Sequence, residues 1–335
     1  MKQRHLGRSG LVVSRLALGT MTWGTDTDTD DAAAQLLAFT GAGGTLVDTA
    51  DAYGSGRSEE VLGRLLADVV PRDDVLVATK AYAPTGVGPM RRGTSRGHLL
   101  SALDASLRRL QVEHVDLWQL HGWDPVTPWE EAMAAVDTAV TSGRVRYAGV
   151  SNYCGWQLAA TATHQRSWPG RAPLVANQVE YSLLQRGVER EVVPAARELG
   201  VGLLPWSPLG RGVLTGKYRA GAPADSRGNS ERYAGFVRAY TDDPTARSVV
   251  DAVMTAADGL GVTPVAVSLA WVRDRPGVVA PVVGARTSAQ LVAALAAEAV
   301  ALPPEIRAAL DDVSAPVTGY PEVPPSTWTS PDLET

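Results

Sequence analysis

Short apolar runs punctuate the chain at fairly even spacing. They are Leu16-Ala17-Leu18, Leu46-Val47, Val75-Leu76-Val77-Ala78, Val115-Asp116-Leu117, Tyr147-Ala148-Gly149-Val150, Leu174-Val175-Ala176, Val201-Gly202-Leu203-Leu204 and Val278-Val279-Ala280. Each is too short for a helix, and most are rich in Val and Leu, as strands buried on both faces should be. Helical periodicity fills the gaps. Over Thr94 to Gln111, Leu99, Leu103, Leu107 and Leu110 make one stripe, and Asp104 and Arg108 pair at i,i+4 on another face. Trp129 to Val140 and Val188 to Leu199 repeat the pattern, with Gly200 placed to end the second helix. Alternating strands and helices predict a parallel sheet with crossover helices. Eight such units predict an α/β protein of the closed (β/α)8 TIM-barrel type, as a single domain over residues 1–335.

Two regions break this rhythm. Residues 2–13 read as a small β-hairpin, with turn residues Gly7 to Gly10, placed to plug the barrel floor. Residues 211–243 form a long polar, Gly- and Arg-rich loop after strand seven, and loops of that length in compact domains are usually functional or disordered. The tail, 316–335, holds four prolines after Pro316 and reads as an irregular surface strap.

Composition narrows the class. The chain has 335 residues, 45% hydrophobic and 20% charged, enough for a sizeable core. Lys plus Arg is 31 against 36 Asp plus Glu, a net charge of −5, and no basic run interleaves with aromatics, so nucleic acid is not an expected partner. One cysteine, Cys154, excludes an intramolecular disulfide and a cysteine-cluster metal site; it reads as a small buried residue. The start, Met1 to Gly10, lacks the apolar core of a signal peptide, and no apolar run reaches about 18 residues. A cytoplasmic protein without membrane contact is the expectation; the oligomeric state is not readable.

The chemistry is sought at the strand ends, because a (β/α)8 barrel builds its active site there. Strand two ends at Asp48, with Tyr53 in the following loop; strand three ends at Lys80 and strand four at His121. Adjacent strands lie about 4.8 Å apart, so the four residues converge over the barrel mouth. Taken singly, such an Asp is a cap, such a Lys or His is solvated and such a Tyr is packing. Together they suit protonation of a carbonyl oxygen. A free tyrosine has a pKa near 10, and an adjacent ammonium, supplied by Lys80 and held by Asp48, is expected to lower it. His121 can orient the oxygen. No Ser-His or Cys-His pair suggests hydrolysis, and one His with one carboxylate does not make a zinc site. A carbonyl protonated at oxygen needs a hydride at carbon, which a nicotinamide supplies. Yet Gly54-Ser55-Gly56 continues with Glu59 where a dinucleotide fingerprint needs its third glycine. Those glycines instead let the chain turn from Tyr53 toward a helix beginning near Ser58, whose hydroxyl is placed to cap it.

Asp48-Thr49-Ala50-Asp51-Ala52-Tyr53-Gly54 with Glu60 and Gly63 resembles the signature of the aldo-keto reductases. So do Gly149-Val150-Ser151-Asn152, Asn177-Gln178 with Tyr181, Trp206-Ser207-Pro208-Leu209, and Gly284-Ala285-Arg286-Thr287 with Gln290-Leu291. The resemblance spans roughly residues 3–312 and leans toward the bacterial and potassium-channel β-subunit branch, including the region of Lys217. It implies a (β/α)8 barrel that reduces aldehydes and ketones with NADP(H). Tyr53 would be the proton donor, with Asp48, Lys80 and His121 completing a tetrad. Ser151, Asn152 and Gln178 would bond the nicotinamide carboxamide, and Trp206 would stack on its ring. Ser207, Leu209, Gly210 and Lys217 would face the pyrophosphate. Arg286 and Gln290 would meet the adenosine 2′-phosphate, with Arg227 a second phosphate contact or a solvated arginine. Thr20, Met21, Pro208 and Gly284 complete the implied cofactor contacts. An Arg fork suits a phosphate dianion, favouring NADP over NAD. One departure stands out: Ala293 and Ala294 follow where the family often has Glu or Asn on the adenine amine.

Trp23, Tyr82, Trp123 and Tyr153 follow strands one, three, four and five and are candidates for an apolar substrate wall. A small-molecule carbonyl compound is the expected partner, and the chain does not name it. An NADP-binding sensor subunit is the competing function, and a barrel hydrolase or isomerase the third.

Overall fold

The computed structural model describes residues 1–317 and 319, apart from 225 and 232 and the side chains of Pro89 and Arg227. The N-terminal hairpin pairs β1 (Gln3–His5) with β2 (Val12–Ser14). Among the described residues, eight parallel strands form the main sheet: β3 (Ala17–Gly19), β4 (Leu46–Asp48), β5 (Leu76–Ala81), β6 (Val115–Leu120), β7 (Val145–Ser151), β8 (Leu174–Glu180), β9 (Gly202–Trp206) and β10 (Val282–Gly284). Their order is β10-β3-β4-β5-β6-β7-β8-β9. The two ends approach closure where Leu203 N–H donates to the Gly277 carbonyl and Val279 N–H to the Leu203 carbonyl, both at 2.9 Å. This is the expected (β/α)8 barrel.

The last strand differs from expectation. Hydrophobicity placed it at 278–280, but the ladder to β3 begins at Val282. Pro281 lies between and has no N–H to give. Its carbonyl still accepts from Ala17 N at 2.9 Å. The strand therefore serves β9 with its first part and β3 with its second.

Helices cover the outside: α1 (Thr29–Gly41), α2 (Arg57–Asp68), α3 (Arg96–Leu110), α4 (Trp129–Thr141), α5 (Gly155–Arg166), α6 (Val192–Glu198), α7 (Ala234–Thr241), α8 (Pro244–Leu260), α9 (Pro264–Arg273), α10 (Ser288–Leu295) and α11 (Pro304–Val313). On α3 the expected stripe buries Leu99, Leu103 and Leu110, and Ser95 caps its start by accepting from His98 N. The helix expected over 188–199 is shorter. A 3-10 turn at Gly187–Glu189 precedes α6, because Pro194 excludes a helical bond to the carbonyl four residues earlier. The segment after β9 is not one irregular loop: it holds 3-10 turns at Gly210–Thr215 and Arg227–Asn229 and then α7. Of the expected tail, 318 and 320–335 lie outside the described residues. No single described helix is long and apolar enough to cross a membrane.

The barrel interior is layered by the two-residue period of its strands. Leu46, Ala78, Leu117, Ala176 and Leu204 fill an apolar layer, closed from below by Leu6, Leu11 and Val13 of the hairpin. Two residues further along four of those strands stand Asp48, Lys80, Gln119 and Gln178, all buried. A polar layer thus rests on an apolar one, at the C-terminal ends of the strands.

Candidate active site

Asp48 and Lys80 form the centre of the polar layer. Lys80 Nζ donates to Asp48 Oδ2 at 2.6 Å, to the Thr49 carbonyl at 2.8 Å and to Tyr53 Oη at 3.3 Å. An ammonium has three N–H donors and no acceptor, so Lys80 is fully committed. Asp48 Oδ1 accepts from Gln178 Nε2 at 2.9 Å and Gln119 Nε2 at 3.3 Å. Burial alone would discharge Lys80, but Asp48 and Tyr53 outweigh it and hold its pKa above the ordinary value. For Tyr53 the balance runs the other way from expectation. Burial pushes the phenol pKa up, and the Lys80 ammonium opposes this without overcoming it.

Tyr53 reaches the site because its loop folds back sharply. Gly54, Ser55 and Gly56 take φ of 58°, 59° and 94°, a left-handed run that glycine adopts at least cost. A side chain at Gly56 would also meet Arg109 Cδ at 2.7 Å. The helix that follows, α2, starts at Arg57 with Gly56 as its cap, so Ser58 does not cap it. Ser58 Oγ is instead buried, donating to the Thr20 carbonyl at 2.8 Å and sharing hydrogen bonds with the Thr20 and Thr49 hydroxyls at 2.7 and 3.0 Å. This ties the Tyr53 loop to β3. Below it Glu59 is buried, accepting from Thr79 Oγ1 at 2.6 Å and Arg109 Nε at 2.7 Å. Among the described residues, neither carboxylate oxygen of Asp51 has a side-chain hydrogen-bond partner. Burial and then the Glu59 charge push its pKa up to about 7.

His121 continues the inward face of β6 past Gln119. Its ring lies 5.9 Å from that of Tyr53, edge to face. Burial, with Lys80 adding to it, lowers its pKa to about 3, so the imidazole is neutral at physiological pH. Asn152, at φ 60°, donates through Nδ2 to the His121 carbonyl at 2.9 Å and accepts through Oδ1 from Trp206 Nε1 at 2.9 Å. Ser151 Oγ donates to the Gln178 carbonyl at 2.9 Å.

A cavity of about 530 Å³ opens on this group. Asp48, Tyr53 and His121 line it, and Arg286, Gln290, Ala293 and Ala294 are also in its wall. Met21, Ser151, Asn152, Gln178, Trp206, Ser207, Pro208, Leu209, Lys217 and Gly284 line it as well. Ser207, Gly210, Arg211 and Gly212 have φ of 48°, 54°, 59° and 90°. These left-handed residues make tight turns, closed by Gly210 N–H donating to the Ser207 carbonyl at 2.9 Å and Gly212 N–H to the Leu209 carbonyl at 3.0 Å, that carry Ser207, Leu209 and Arg211 along the cavity wall. At α10 the Thr287 hydroxyl accepts from Gln290 N at 3.3 Å, and Arg286 N donates to Gln290 Oε1 at 3.0 Å. A helix N-terminus beside an arginine is a ready anion site. The start of α10 beside Arg286, with Lys217 and Trp206 in the same cavity wall, fits a phosphorylated dinucleotide.

The model of the aldo/keto reductase family matches residues 15–315. The chain belongs to the aldo/keto reductase family. It is 37% identical over 324 residues to the uncharacterized oxidoreductase YrpG of Bacillus subtilis (strain 168), covering 93% of this chain and 96% of that one. It is 37% identical over 331 residues to a probable voltage-gated potassium channel subunit beta of Oryza sativa subsp. japonica, covering 96% and 98%. To the versiconal hemiacetal acetate reductase of Aspergillus parasiticus it is 30% identical over 345 residues, covering 96% and 99%. These relatives match the branch toward which the motifs lean, and they support an oxidoreductase.

Several expected site residues of this aldo/keto reductase stand elsewhere. Trp23 is fully buried, and its indole N–H donates to Gln35 Oε1 at 3.1 Å, so it is core rather than substrate wall. Tyr153 is buried too, beneath Trp123, whose ring lies 5.2 Å away. Trp123 is half-buried against Trp156, and Tyr82 packs near Gly122; neither lines the cavity. Thr20 and Gly210 are buried behind the wall rather than in it. The Arg227 side chain lies outside what the structure describes. Cys154 is only half-buried, at the cap of α5, with its N–H donating to Gln157 Oε1 at 2.9 Å.

Two site residues escaped the sequence reading. Gln119 was readable: it is polar inside a strand buried on both faces, in register with Lys80. Gly149 leaves it room, since a side chain there would meet Gln119 Cγ at 3.2 Å. Arg211 lines the cavity, but nothing in its local sequence marks it.

Proposed function

We propose that the protein is an NADPH-dependent carbonyl reductase in which Tyr53 protonates the carbonyl oxygen. One observation carries this reading. Every N–H of Lys80 is spent on Asp48, Thr49 and Tyr53, and Lys80 donates to the phenol oxygen rather than accepting from it. The Tyr53 proton is left for another acceptor, and among the described residues none stands within hydrogen-bond distance. A substrate carbonyl oxygen fills that role.

Burial keeps the phenol protonated at neutral pH, as an acid must be before the reaction. As the proton leaves, negative charge develops 3.3 Å from the Lys80 ammonium, which stabilises it. Asp48 and the two glutamine amides hold that ammonium in place. Neutral His121 donates a hydrogen bond to the same carbonyl oxygen without competing as the acid. NADPH, when bound, supplies the hydride.

The chain's residues would hold that cofactor along the cavity. Ser151 Oγ and the Oε1 of Gln178, which the bond to Asp48 does not use, would meet the carboxamide. Trp206 would pack on the ring. Ser207, Leu209 and Lys217 would face the pyrophosphate, with 211–243 as its cover. Arg286, Gln290 and the start of α10 would take the 2′-phosphate, which favours NADP over NAD. Ala293 and Ala294 would touch the adenine without a hydrogen bond.

Relatives named as channel subunits supply the second reading, an NADP-binding regulatory subunit with little turnover. One experiment separates the two: a panel of aldehydes and ketones, assayed by NADPH absorbance with wild type and Tyr53→Phe. A working general acid contributes about 10²–10⁴-fold, so the variant should lose at least the lower figure while NADPH affinity stays within about twofold. A wild type that binds NADPH but turns over nothing favours the regulatory reading, and an active Phe variant removes Tyr53 as the acid.

A further inference from the structure

Arg211 is gripped from three directions. Its Nε and Nη2 donate to Oε1 and Oε2 of Glu180 at 2.8 and 2.7 Å, a bidentate fork, and Nη1 donates to the Phe236 carbonyl at 2.7 Å. The guanidinium lies 3.6 Å from the centroid of the Phe236 ring and 4.7 Å from that of Tyr240. Tyr240 Oη closes the circle, donating to Glu180 Oε1 at 3.0 Å. Only 14% of the Arg211 side chain and 13% of the Glu180 side chain meet water, so the pair is far less screened than a surface ion pair. Glu180 ends β8, and Phe236 and Tyr240 belong to α7. Arg211 therefore joins the barrel rim to the helix that follows β9. It does so from φ 59°, a left-handed conformation that is unfavourable for a non-glycine residue.

The grip continues into the cavity wall. Phe236 lies against Trp206 with ring centroids 6.3 Å apart and planes 12° from parallel. The Trp206 indole N–H is tied to Asn152 at 2.9 Å. One hydrogen bond at its edge leaves an indole free to tilt about that bond. A second ring along its face removes the tilt. Arg211 and Trp206 both pack against Phe236, and Trp206 borders the cavity.

We propose that Arg211 is a positioning residue: by latching α7 to Glu180 it presses Phe236 onto Trp206 and fixes the plane on which a nicotinamide ring packs. This rests on the reading that the cavity takes a nicotinamide dinucleotide. Offset stacking and dispersion decline steeply with separation, so a flat ring is held in register only by a platform that does not move. Misplacement of a reacting ring by about 1 Å can cost on the order of 10²-fold in rate.

The test compares wild type, Phe236→Ala, Phe236→Tyr, Arg211→Lys and Glu180→Gln. It reads NADPH Kd by tryptophan quenching, near-UV circular dichroism, thermal stability, and single-turnover hydride transfer to the best carbonyl compound of the panel. Phe236→Ala and Arg211→Lys should lose about tenfold or more in the hydride-transfer rate, with the KM for the carbonyl compound little changed. The near-UV signal of the stacked pair should fall in both, and Phe236→Tyr should restore rate and signal together. Phe236→Ala with wild-type rate, Kd and spectrum would overturn the proposal. Should that variant not fold, Glu180→Gln decides, since it keeps the shape and weakens the fork: an unchanged rate overturns the proposal and a slowed one supports it. Wild type failing to bind NADPH would overturn the underlying functional reading instead.

Discussion

Lys80 Nζ stands 2.6 Å from Asp48 Oδ2, with 0% and 2% of the two side chains exposed. The pair is the floor of the site and sits directly on the apolar layer of the barrel. Its stability effect is separable from its chemistry.

Lys80→Met should destabilise the fold by about 3–5 kcal/mol, because it leaves Asp48 buried without its counter-charge. Adding Asp48→Leu should recover most of that loss, since a buried ion pair replaced by apolar groups of similar size is often neutral. The double variant should still turn over no substrate. Urea unfolding together with the NADPH assay checks both halves. A Lys80→Met protein as stable as wild type would show that the pair is not a buried charge pair.

His121 should show no ionisation between pH 5 and 8. Burial and the nearby ammonium lower its pKa to about 3, so raising the pH through the usual histidine range changes nothing at this ring. Its ¹⁵N chemical shifts, assigned against His121→Asn, should stay those of a neutral imidazole throughout. A midpoint near 6.5 would contradict the burial argument.

Asp51 should make the fold less stable as pH rises. Its pKa is raised from 3.8 to about 7 by burial and by Glu59, with Arg109 and Lys80 opposing. The folded state therefore holds a proton that the unfolded chain has released, and stability falls between about pH 4 and pH 7, then levels. Asp51→Asn should match wild type near pH 4 and exceed it at pH 8 by on the order of a few kcal/mol. Denaturant midpoints of the two proteins across that range give the answer, and parallel pH curves would sink it.

Arg286→Ala should weaken NADPH binding by about tenfold or more while leaving NADH binding within about twofold, since hydrogen bonds to charged groups contribute about 1.5–3 kcal/mol. Fluorescence titration with each nucleotide measures this. Equal losses for both would show that Arg286 does not read the 2′-phosphate.

The order of strands and helices was legible because burial on both faces writes continuous apolar runs, and helices write a period of 3.6. Asp48, Lys80 and His121 were legible for a related reason. Each marks the end of a strand, and a parallel barrel brings all strand ends to one mouth. Where a side chain left that regular scaffold, local sequence did not settle its destination. Trp23 and Tyr153 follow strands as Tyr53 does, yet they turn into the core. Arg211, Glu180 and Phe236 lie far apart in the chain and meet only because α7 folds back over the rim. Tyr53 shows the same limit in energy: the Lys80 charge was readable from the pattern, but the burial that outweighs it belongs to the assembled barrel. Period and strand ends are local properties and are carried by the sequence itself; desolvation and loop contacts depend on what else is packed nearby, and only the tertiary structure decides them.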